Sequence, residues 1–400
     1  MSPVEGQTEV DARGPAFDPD DPAVVARWQR TVSGLYDRRN EAAVRRVIER
    51  DILEPGPDPD VHRRVHSQPE HAWALEHYLS KIVSRERILA GKARLPEIAN
   101  LFETVGTPAL AVPAHVLAAI WGIETRYGEH LGHFNAARSL TTLAVVDVRR
   151  PALWAEELER LLDLIASGTF ADDAVTGSWC GALGHTQFMP RTLSTFGIDA
   201  DGDGRVDVIA SPRDALASAA NYLTARGWSG GLPPLLEVRA HPTYDWADWE
   251  LADERPLADW QSRGLSPSAD VPAGADAMSW RLIAPEGHTG FLALVNGNYR
   301  ALLGYNPAQS YAISVSLLAR VIAEDRERDA DWPASPEALT KGEIIRLQIA
   351  LHAEGLDTGG LDGICGAETR KSVKAAQKQH GLVPDGFPTL ALLQAVIPGR

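Results

Sequence analysis

Hydrophobic residues recur at helical spacing through most of this 400-residue chain. Apolar positions three and four residues apart are typical of amphipathic α-helices. The segments with this pattern are residues 23–50, 69–90, 94–105, 113–127, 153–167, 212–225 and 311–325. Between residues 233 and 295 the pattern changes to short β-like runs separated by proline, glycine and aspartate. The sequence therefore predicts a mainly α protein with a small β-containing insertion.

The same pattern divides the chain into segments. Proline and small residues interrupt the helical pattern after Ala330, which predicts a linker at residues 330–339. Residues 340–397 then contain three short helical stretches with Asp-Gly turns on both sides of the middle one. We predict a mobile lead at residues 1–22, a main domain at residues 23–329, and a three-helix module after the linker.

The charge balance argues against nucleic acid as a partner. The chain has 39 Lys and Arg against 54 Asp and Glu, a formal net charge of -15, and no basic cluster that would neutralise phosphates. Its 44% of hydrophobic residues exclude a disordered tail protein, and no 18 apolar residues run together as a transmembrane helix requires. The first 22 residues also lack an export signal, so export would need a signal removed beforehand or another route.

Tryptophan is unusually frequent, with 11 residues against eight tyrosines and eight phenylalanines. Flat aromatic rings fill cores and also stack on sugar rings. Trp246, Trp249, Trp260 and Trp280 all lie in the predicted insertion. Sugar contact by this Trp-rich insertion is one hypothesis for its role.

The two cysteines, Cys180 and Cys365, match no metal-binding or redox spacing. A single long-range disulfide would require an oxidising compartment. We favour two separate thiols, because nothing local in the sequence pairs them.

The most informative helix is predicted in the segment PAHVLAAIWGIETRYG, which begins at Pro113. Proline starts helices and glycine ends them, and Glu124 projects from the face that carries Ile120 and Trp121. Burial among apolar groups disfavours a charged carboxylate, so we expect a raised pKa and a general acid that protonates a leaving oxygen. The alternative is a carboxylate paired with Arg126 or Arg138, or one exposed at the helix end.

Two further motifs accompany this acid in the sequence. Residues 177–190 read GSWCGALGHTQFMP, and residues 298–312 read NYRALLGYNPAQSYA. Together with Glu124 in its IETRYG setting, they resemble the lytic murein transglycosylase B family over roughly residues 23–325. The resemblance implies a lysozyme-like helical domain that cleaves peptidoglycan between N-acetylmuramic acid and N-acetylglucosamine.

The resemblance also implies roles for individual residues. Glu124 becomes the single acid and base: it protonates the glycosidic oxygen and then takes the proton of the muramoyl C6 hydroxyl, which closes a 1,6-anhydro ring without consuming water. The substrate's acetamido oxygen would take the place of a second carboxylate. The hydroxyl of Ser178 would bond the catalytic carboxylate. The expected substrate-binding residues are Ser178, Gln187, Phe188, Met189, Tyr305, Asn306 and Tyr311. The sequence departs from the family pattern at Trp179, Cys180 and Arg191.

A calcium-like loop follows the second motif. Asp199, Asp201 and Asp203 occupy positions 1, 3 and 5 of an EF-hand-like loop, and the backbone carbonyl of Arg205 occupies position 7. Position 12 is alanine rather than glutamate, so Asp207 or Asp214 would have to supply the missing oxygens. We predict a structural Ca²⁺ or Na⁺ site, with an acidic surface turn as the alternative, and no cofactor for the chemistry.

The tail at residues 340–397 resembles the three-helix peptidoglycan-binding domain, with turns at Asp362-Gly363 and Asp385-Gly386. The combined prediction is a lytic transglycosylase that binds peptidoglycan glycan strands in the bacterial periplasm or cell wall. Because the net charge is negative, we expect recognition to rest on stacking and hydrogen bonding to sugars. The alternatives are a hydrolytic muramidase that uses Glu124, a non-catalytic wall-binding scaffold and a calcium-dependent adhesion protein.

Overall fold

The computed structural model describes residues 21–66, 74–105, 112–170, 173–250, 252–324 and 332–397. The lead predicted at residues 1–22 lies almost wholly outside these ranges. The helices are α1 (Pro22–Arg38), α2 (Ala42–Val47), α3 (Pro59–His66), α4 (Leu75–Ile82), α5 (Arg85–Val105), α6 (Ala114–Thr125), α7 (Ala136–Val146), α8 (Pro151–Ala166), α9 (Pro190–Phe196), α10 (Pro212–Ala225), α11 (Leu257–Ser262), α12 (Gly297–Tyr305), α13 (Gln309–Ala323), α14 (Lys341–Ala353), α15 (Ala367–Gln379) and α16 (Leu390–Val396). The strands are β1 (Phe134–Asn135), β2 (Thr176–Gly177), β3 (Leu235–Ala240), β4 (Glu254–Pro256), β5 (Leu265–Pro267), β6 (Ser279–Ile283) and β7 (Ala293–Val295). The predicted mainly α class is confirmed.

The helix predicted over residues 23–50 is interrupted. It divides into α1, α2 and a π-helix at Ile48–Leu53. At the first break Arg39 adopts an extended backbone, and its guanidinium forms 2.7 Å ion pairs with Glu159 and Asp163 of α8. The interruption therefore depends on a contact with a helix more than 100 residues away, which periodicity does not reveal.

Helix α7 was not predicted from the sequence. Its sequence AARSLTTLAVV is rich in β-branched residues, whose restricted side chains lower helix propensity. The helix is nevertheless buried along most of its length and packs against α8, α1 and α3. The side chain of Asn135 caps its first turn by accepting a hydrogen bond from the backbone of Arg138. Tertiary packing thus stabilises a helix in which four of the eleven residues are β-branched.

The chain forms two compact units, which are described separately. The first contains the described residues among 1–68 and 86–225, and the second contains those among 69–85 and 226–400. In the first unit, α6 is buried on all sides from Val116 to Ile123 and packs against α10. This helix carries Glu124.

The predicted β-containing insertion is confirmed in the second unit. It is a five-stranded antiparallel sheet in the order β4, β6, β7, β3, β5. The insertion's four tryptophans are buried in its core, together with leucines of the sheet; they are Trp246, Trp249, Trp260 and Trp280. Trp260 Nε1 donates to the carbonyl of Trp280, and Trp280 Nε1 donates to that of Ala275. The hypothesis that these rings contact sugars is therefore wrong, because they stabilise the insertion instead.

The C-terminal module repeats one hydrogen-bonded arrangement. Gln348 accepts a bond from Gly363 N and donates to Asp362, while Gln377 accepts from Gly386 N and donates to Asp385. Each buried glutamine thus holds one of the two Asp-Gly turns that flank the middle helix of the module. The module also contacts the insertion within the second unit. In this contact, Asp385 accepts hydrogen bonds from the backbone N–H of His288, 2.9 Å away, while its Oδ2 lies 2.6 Å from His288 Nδ1.

Among the described helices, none combines the length and the apolar character needed to cross a bilayer.

Candidate active site

Glu124 lies in the last turn of α6 and lines a cavity of about 190 Å³. Its side chain is half-buried. The sequence predicted an apolar stripe around this acid, but α6 is buried on every side, and it ends at Thr125. The apolar setting of Glu124 therefore comes from burial of the whole helix. Of the two cations considered as partners, Arg138 is bound elsewhere, to Asp58 at 3.4 Å.

A left-handed turn follows the catalytic candidate. Arg126 and Tyr127 have positive φ angles of 50° and 61°, although neither is glycine. The hydroxyl of Tyr127 donates a 2.6 Å bond to the carbonyl of Arg87, and Arg87 Nε donates to the carbonyl of Gly122 at 2.8 Å. Burial raises the pKa of Tyr127, so this phenol keeps its proton and remains a donor. The strained turn is held in place by these bonds.

Gly122 permits the close contact of Tyr127 with the helix. A Cβ at position 122 would lie 2.5 Å from the Tyr127 hydroxyl oxygen. Real Cβ atoms do not approach other atoms so closely, so only glycine fits at this point of α6. The lack of a side chain at Gly122 therefore makes room for Tyr127 in the left-handed turn that follows Glu124.

The second motif forms a compact loop beside Glu124. Strands β1 and β2 pair Phe134 with Gly177, and Leu183 and Phe188 exchange two backbone hydrogen bonds of 2.8 and 2.9 Å. Gly184 has a φ of 66°, and a Cβ there would lie 2.0 Å from the carbonyl oxygen of Val208. The loop can close only with glycine at this position.

Two hydrogen bonds join this loop to α6. Thr125 Oγ1 donates to the carbonyl of His185 at 2.8 Å, and it accepts from Gly128 N at 3.1 Å. Trp121 Nε1 lies 3.1 Å from His185 Nδ1, which accepts its hydrogen. Burial lowers the pKa of His185, opposed in part by Glu97, so the imidazole remains neutral and can act as this acceptor.

Two predicted site residues share the cavity with Glu124. Ser178 and Gln187 both line it, so the structure brings together the acid and the loop as expected. Gln187 has a left-handed backbone, with φ of 51°, and its side chain donates to the carbonyl of Gly184 at 2.9 Å. The Ser178 hydroxyl lies 3.3 Å from Cys180 Sγ and accepts a bond from Ala182 N at 3.0 Å. A bond from Ser178 to Glu124 stays a prediction.

Phe188 and Met189 are not among the residues that line this cavity. The ring of Phe188 is 2% exposed and packs 6.0 Å from that of Tyr222, centroid to centroid. Met189 is half-buried and precedes the first residue of α9. Phe188 supports the loop from the core, and substrate contact by either residue stays a prediction.

Several cavity residues were not predicted from the sequence. Arg64, His130, His133 and Phe134 line it together with Trp179. The guanidinium of Arg64 lies 5.4 Å from the centre of the Phe134 ring, on which His133 also stacks. The segment EHLGHF directly after IETRYG was a usable signal for the histidines and Phe134. Nothing in the sequence connects Arg64 with a motif 60 residues away.

The third motif lies in the second unit. Tyr305 ends α12, and its ring stacks on that of Tyr311 with centroids 6.3 Å apart and planes 6° apart. Asn306 Oδ1 accepts a bond from Ala308 N, which shapes the entry into α13. Substrate contact by Tyr305, Asn306 and Tyr311 stays a prediction.

The acidic loop brings three predicted metal ligands together. Carboxylate oxygens of Asp199, Asp201 and Asp203 lie within 4.8 Å of one another. Asp214 is 1% exposed, and its two oxygens accept bonds from the backbone of Ala200 and Asp207. Burial raises the pKa of Asp214. Its carboxylate is used inside the loop, so the cluster fits a hard cation through three aspartates.

Arg205 N donates a 2.8 Å bond to Asp203. A ligand role for the Arg205 carbonyl and a metal role for Asp214 stay predictions.

Comparison with known proteins decides the family. A family model described as a transglycosylase SLT domain matches residues 28–320. This chain belongs to the transglycosylase SLT family. A second model, described as a putative peptidoglycan binding domain, matches residues 340–396. Both resemblances drawn from the sequence motifs are therefore confirmed, and the chain is a lytic transglycosylase with a C-terminal peptidoglycan-binding domain.

Similar proteins cover most of this transglycosylase. It is 37% identical to SltB3 from Pseudomonas aeruginosa, whose structure in complex with NAG-anhNAM-pentapeptide matches with a TM-score of 0.82 over 94% of this chain and 98% of that one. It is 28% identical over 262 residues to membrane-bound lytic murein transglycosylase B of Escherichia coli strain K12, which is 64% of this chain and 69% of that protein. The Escherichia coli lytic transglycosylase Slt35, solved in complex with calcium, shares the fold at 22% identity, with a TM-score of 0.59 over 77% of this chain and 98% of that one.

The family departures fall in two different environments. Trp179 lines the cavity of this transglycosylase, and Cys180 is buried behind Ser178. Arg191 instead contacts α8, because its backbone N–H donates a 2.9 Å hydrogen bond to the Glu157 carboxylate of that helix. Both cysteines are free thiols.

Proposed function

We propose that Glu124 is the single acid and base of a lytic transglycosylase reaction on peptidoglycan glycan strands. The observation that supports this best is the composition of the cavity. Among the described residues that line it, Glu124 is the one carboxylate. Two-carboxylate glycosidases place both acids around the bond to be cleaved, so a lone acid favours a mechanism in which the substrate supplies the second group.

The proposed reaction proceeds in two proton transfers. Protonated Glu124 donates its proton to the glycosidic oxygen as the bond from C1 of the muramoyl sugar to that oxygen breaks. The muramoyl C6 hydroxyl then forms a new bond to C1, and its proton returns to the Glu124 carboxylate. The substrate's acetamido oxygen stabilises the positive charge that develops at C1. The products are a free hydroxyl on the leaving strand and a 1,6-anhydro end, with no water consumed.

The residues around Glu124 have supporting roles in this proposal. Ser178 and Gln187 face the same cavity, so they can orient the acid and the sugar next to it. The bonds from Thr125 and Trp121 to His185 hold that loop against the helix end that carries Glu124. The crystal complex of SltB3 with NAG-anhNAM-pentapeptide supports the substrate class and the anhydro product.

Digestion of purified sacculi tests this function. Wild-type protein should release muropeptides that end in anhydro sugars, each lighter by one water than the hydrolysed form, and Glu124→Gln should release none. Glu129→Gln is the matched control, because Glu129 is exposed five residues further and does not line the cavity. Reducing ends from the wild type would indicate a hydrolytic muramidase, and unchanged products from Glu124→Gln would overturn the assignment of the acid.

The C-terminal domain is proposed to bind peptidoglycan and so to keep the enzyme at its substrate. Attachment through a second domain raises the local concentration of the catalytic unit without a new contact at the active site. We therefore propose that the protein acts in the bacterial periplasm or cell wall, where peptidoglycan lies.

The acidic loop is proposed as a structural Ca²⁺ site. Asp199, Asp201 and Asp203 would supply carboxylate oxygens, the ligands that this hard cation prefers. The calcium complex of Slt35 supports the choice of metal. The loop connects α9 to α10, so a bound cation would stabilise the scaffold beside the second motif without entering the reaction.

A further inference from the structure

The cavity of Glu124 is rich in cations although the whole chain is acidic. Arg64, Arg87 and Arg126 line it, with Glu124 as the one acid among the described lining residues. The chain as a whole carries a formal net charge of -15. A cleft lined by one sign of charge concentrates ligands of the opposite sign. The cavity therefore differs electrostatically from the rest of the molecule.

Two of these arginines lack an acidic partner. Within the described part of the chain, no carboxylate lies within ion-pair distance of the guanidinium of Arg64 or Arg126. By contrast, the neighbouring Arg63 pairs with Asp60 at 2.7 Å. Arg87 has a different role, because it is 8% exposed and holds the carbonyl of Gly122. Arg64 and Arg126 are thus available to an anionic ligand in the cavity.

The settings of these two arginines favour a role in binding. Arg126 has a left-handed backbone with φ of 50°, a conformation that favours glycine or asparagine. Strain of this kind at a site lined by polar groups indicates a side chain kept for function. Arg64 lies over the ring of Phe134, which holds a long, flexible side chain at the cavity wall. The Phe134 ring therefore restrains the Arg64 guanidinium at the cavity wall, whereas Arg126 is exposed beside it.

We propose that Arg64 and Arg126 bind a carboxylate carried by the substrate next to the scissile bond, an inference that rests on the function proposed for Glu124. A guanidinium pairs with a carboxylate through two parallel hydrogen bonds, which fixes orientation as well as charge. On a peptidoglycan strand that carboxylate has two sources, the lactyl group of a muramoyl sugar without its peptide, or the stem peptide itself. Specificity for an acidic strand would then come from the cavity, in contrast to the expectation that sugar contacts alone decide recognition.

Four substrates separate the sources. They are strands with stem peptides, strands stripped to the free lactyl carboxylate, and an amidated form of each in which the carboxylates are converted to amides. On the substrate that carries the recognised carboxylate, Arg64→Gln and Arg126→Gln should each lower kcat/KM at least about tenfold, since a hydrogen bond to a charged group is lost. On the amidated substrates the same variants should change kcat/KM less than about twofold, because the wild type has no charge left to bind.

Two control variants distinguish loss of carboxylate binding from a general effect of removing an arginine. Arg63→Gln removes an exposed arginine from the same helix and should leave kcat/KM unchanged on every substrate. Arg64→Lys keeps the charge and should restore part of the activity. The proposal would be overturned if the arginine variants lowered kcat/KM equally on substrates with free and with amidated carboxylates, or if they lowered it on neither kind. Either result would leave the role proposed for Glu124 intact. Absence of anhydro products from wild type on all substrates would instead refute the proposed function itself.

Discussion

The hydroxyl of Thr125 donates a 2.8 Å hydrogen bond to the carbonyl oxygen of His185. Thr125 directly follows Glu124 on α6, while His185 lies two residues before Gln187 in the second motif. Together with the bond from Trp121 to His185, this hydrogen bond joins the two chain segments that carry the proposed acid and a proposed sugar-binding residue. The position of Glu124 relative to Gln187 depends on this contact as much as on either segment alone.

Replacement of Thr125 by valine should loosen the site. The change keeps the shape of a side chain that is 1% exposed, but it leaves the His185 carbonyl without its donor. It also removes one of the two acceptors of Gly128 N, which still donates to the Thr125 carbonyl at 3.2 Å. We expect a loss of about 1–3 kcal/mol in the free energy of unfolding, together with a lower kcat. Thr195→Val is the control, since that exposed hydroxyl bonds only within its own helix, to the carbonyl of Arg191. Equal stability of the two variants by urea unfolding would contradict the prediction.

Gly122→Ala should destabilise the protein although alanine favours helices. The new Cβ would lie 2.5 Å from the Tyr127 hydroxyl oxygen, and displacement of that ring would break its bond to Arg87. We expect a loss of about 1–3 kcal/mol from overpacking. Gly342→Ala in α14 meets no atom within 4 Å and should instead gain up to about 1 kcal/mol. Thermal unfolding of both variants measures the contrast, and a gain for Gly122→Ala would show that the turn can shift at little cost.

The buried His185 should make the protein less stable in mild acid. Its pKa in the folded state is lowered by burial, so as the pH falls below the ordinary histidine value of about 6.5, the unfolded chain binds a proton before the folded one does. The unfolding free energy contributed by this group is therefore complete above that value and decreases as the pH falls towards the folded pKa.

The thermal midpoints at pH 7.5 and 5.5 test this linkage. His185→Asn should show a smaller decrease between the two values than wild type. His130→Asn should behave like wild type, because that imidazole is exposed. The half-buried His115 also has a pKa lowered by desolvation, so part of the decrease should persist in His185→Asn. An unchanged pH dependence in His185→Asn would show that His185 does not contribute.

Calcium should raise the thermal midpoint of metal-free protein. A ligand at a hundredfold excess over its dissociation constant adds about 2.7 kcal/mol to folded-state stability, which corresponds to several degrees. The increase should disappear in Asp199→Asn and Asp203→Asn, which remove clustered oxygens. It should remain in Asp37→Asn, an exposed acid outside the loop. A calcium response that survives the loop variants would place the ion elsewhere.

Local sequence patterns determined much of this protein. The helix that carries Glu124, the glycine-rich loop with Ser178 and Gln187, and the β-containing insertion all follow from periodicity and turn chemistry, which act over a few residues. The aspartates of the acidic loop cluster for the same reason, because their spacing is set by one turn of chain. Family motifs added the reaction and the likeness of the C-terminal module.

Tertiary structure alone decided which distant segments meet. The insertion's tryptophans became core, α7 became helical despite its β-branched residues, and Arg39 interrupted a predicted helix by pairing with α8. Arg64 reached the cavity of Glu124 from a helix with no motif of its own. These outcomes depend on free energies of burial and ion pairing between segments far apart in the chain, and such energies leave no periodic trace in the sequence.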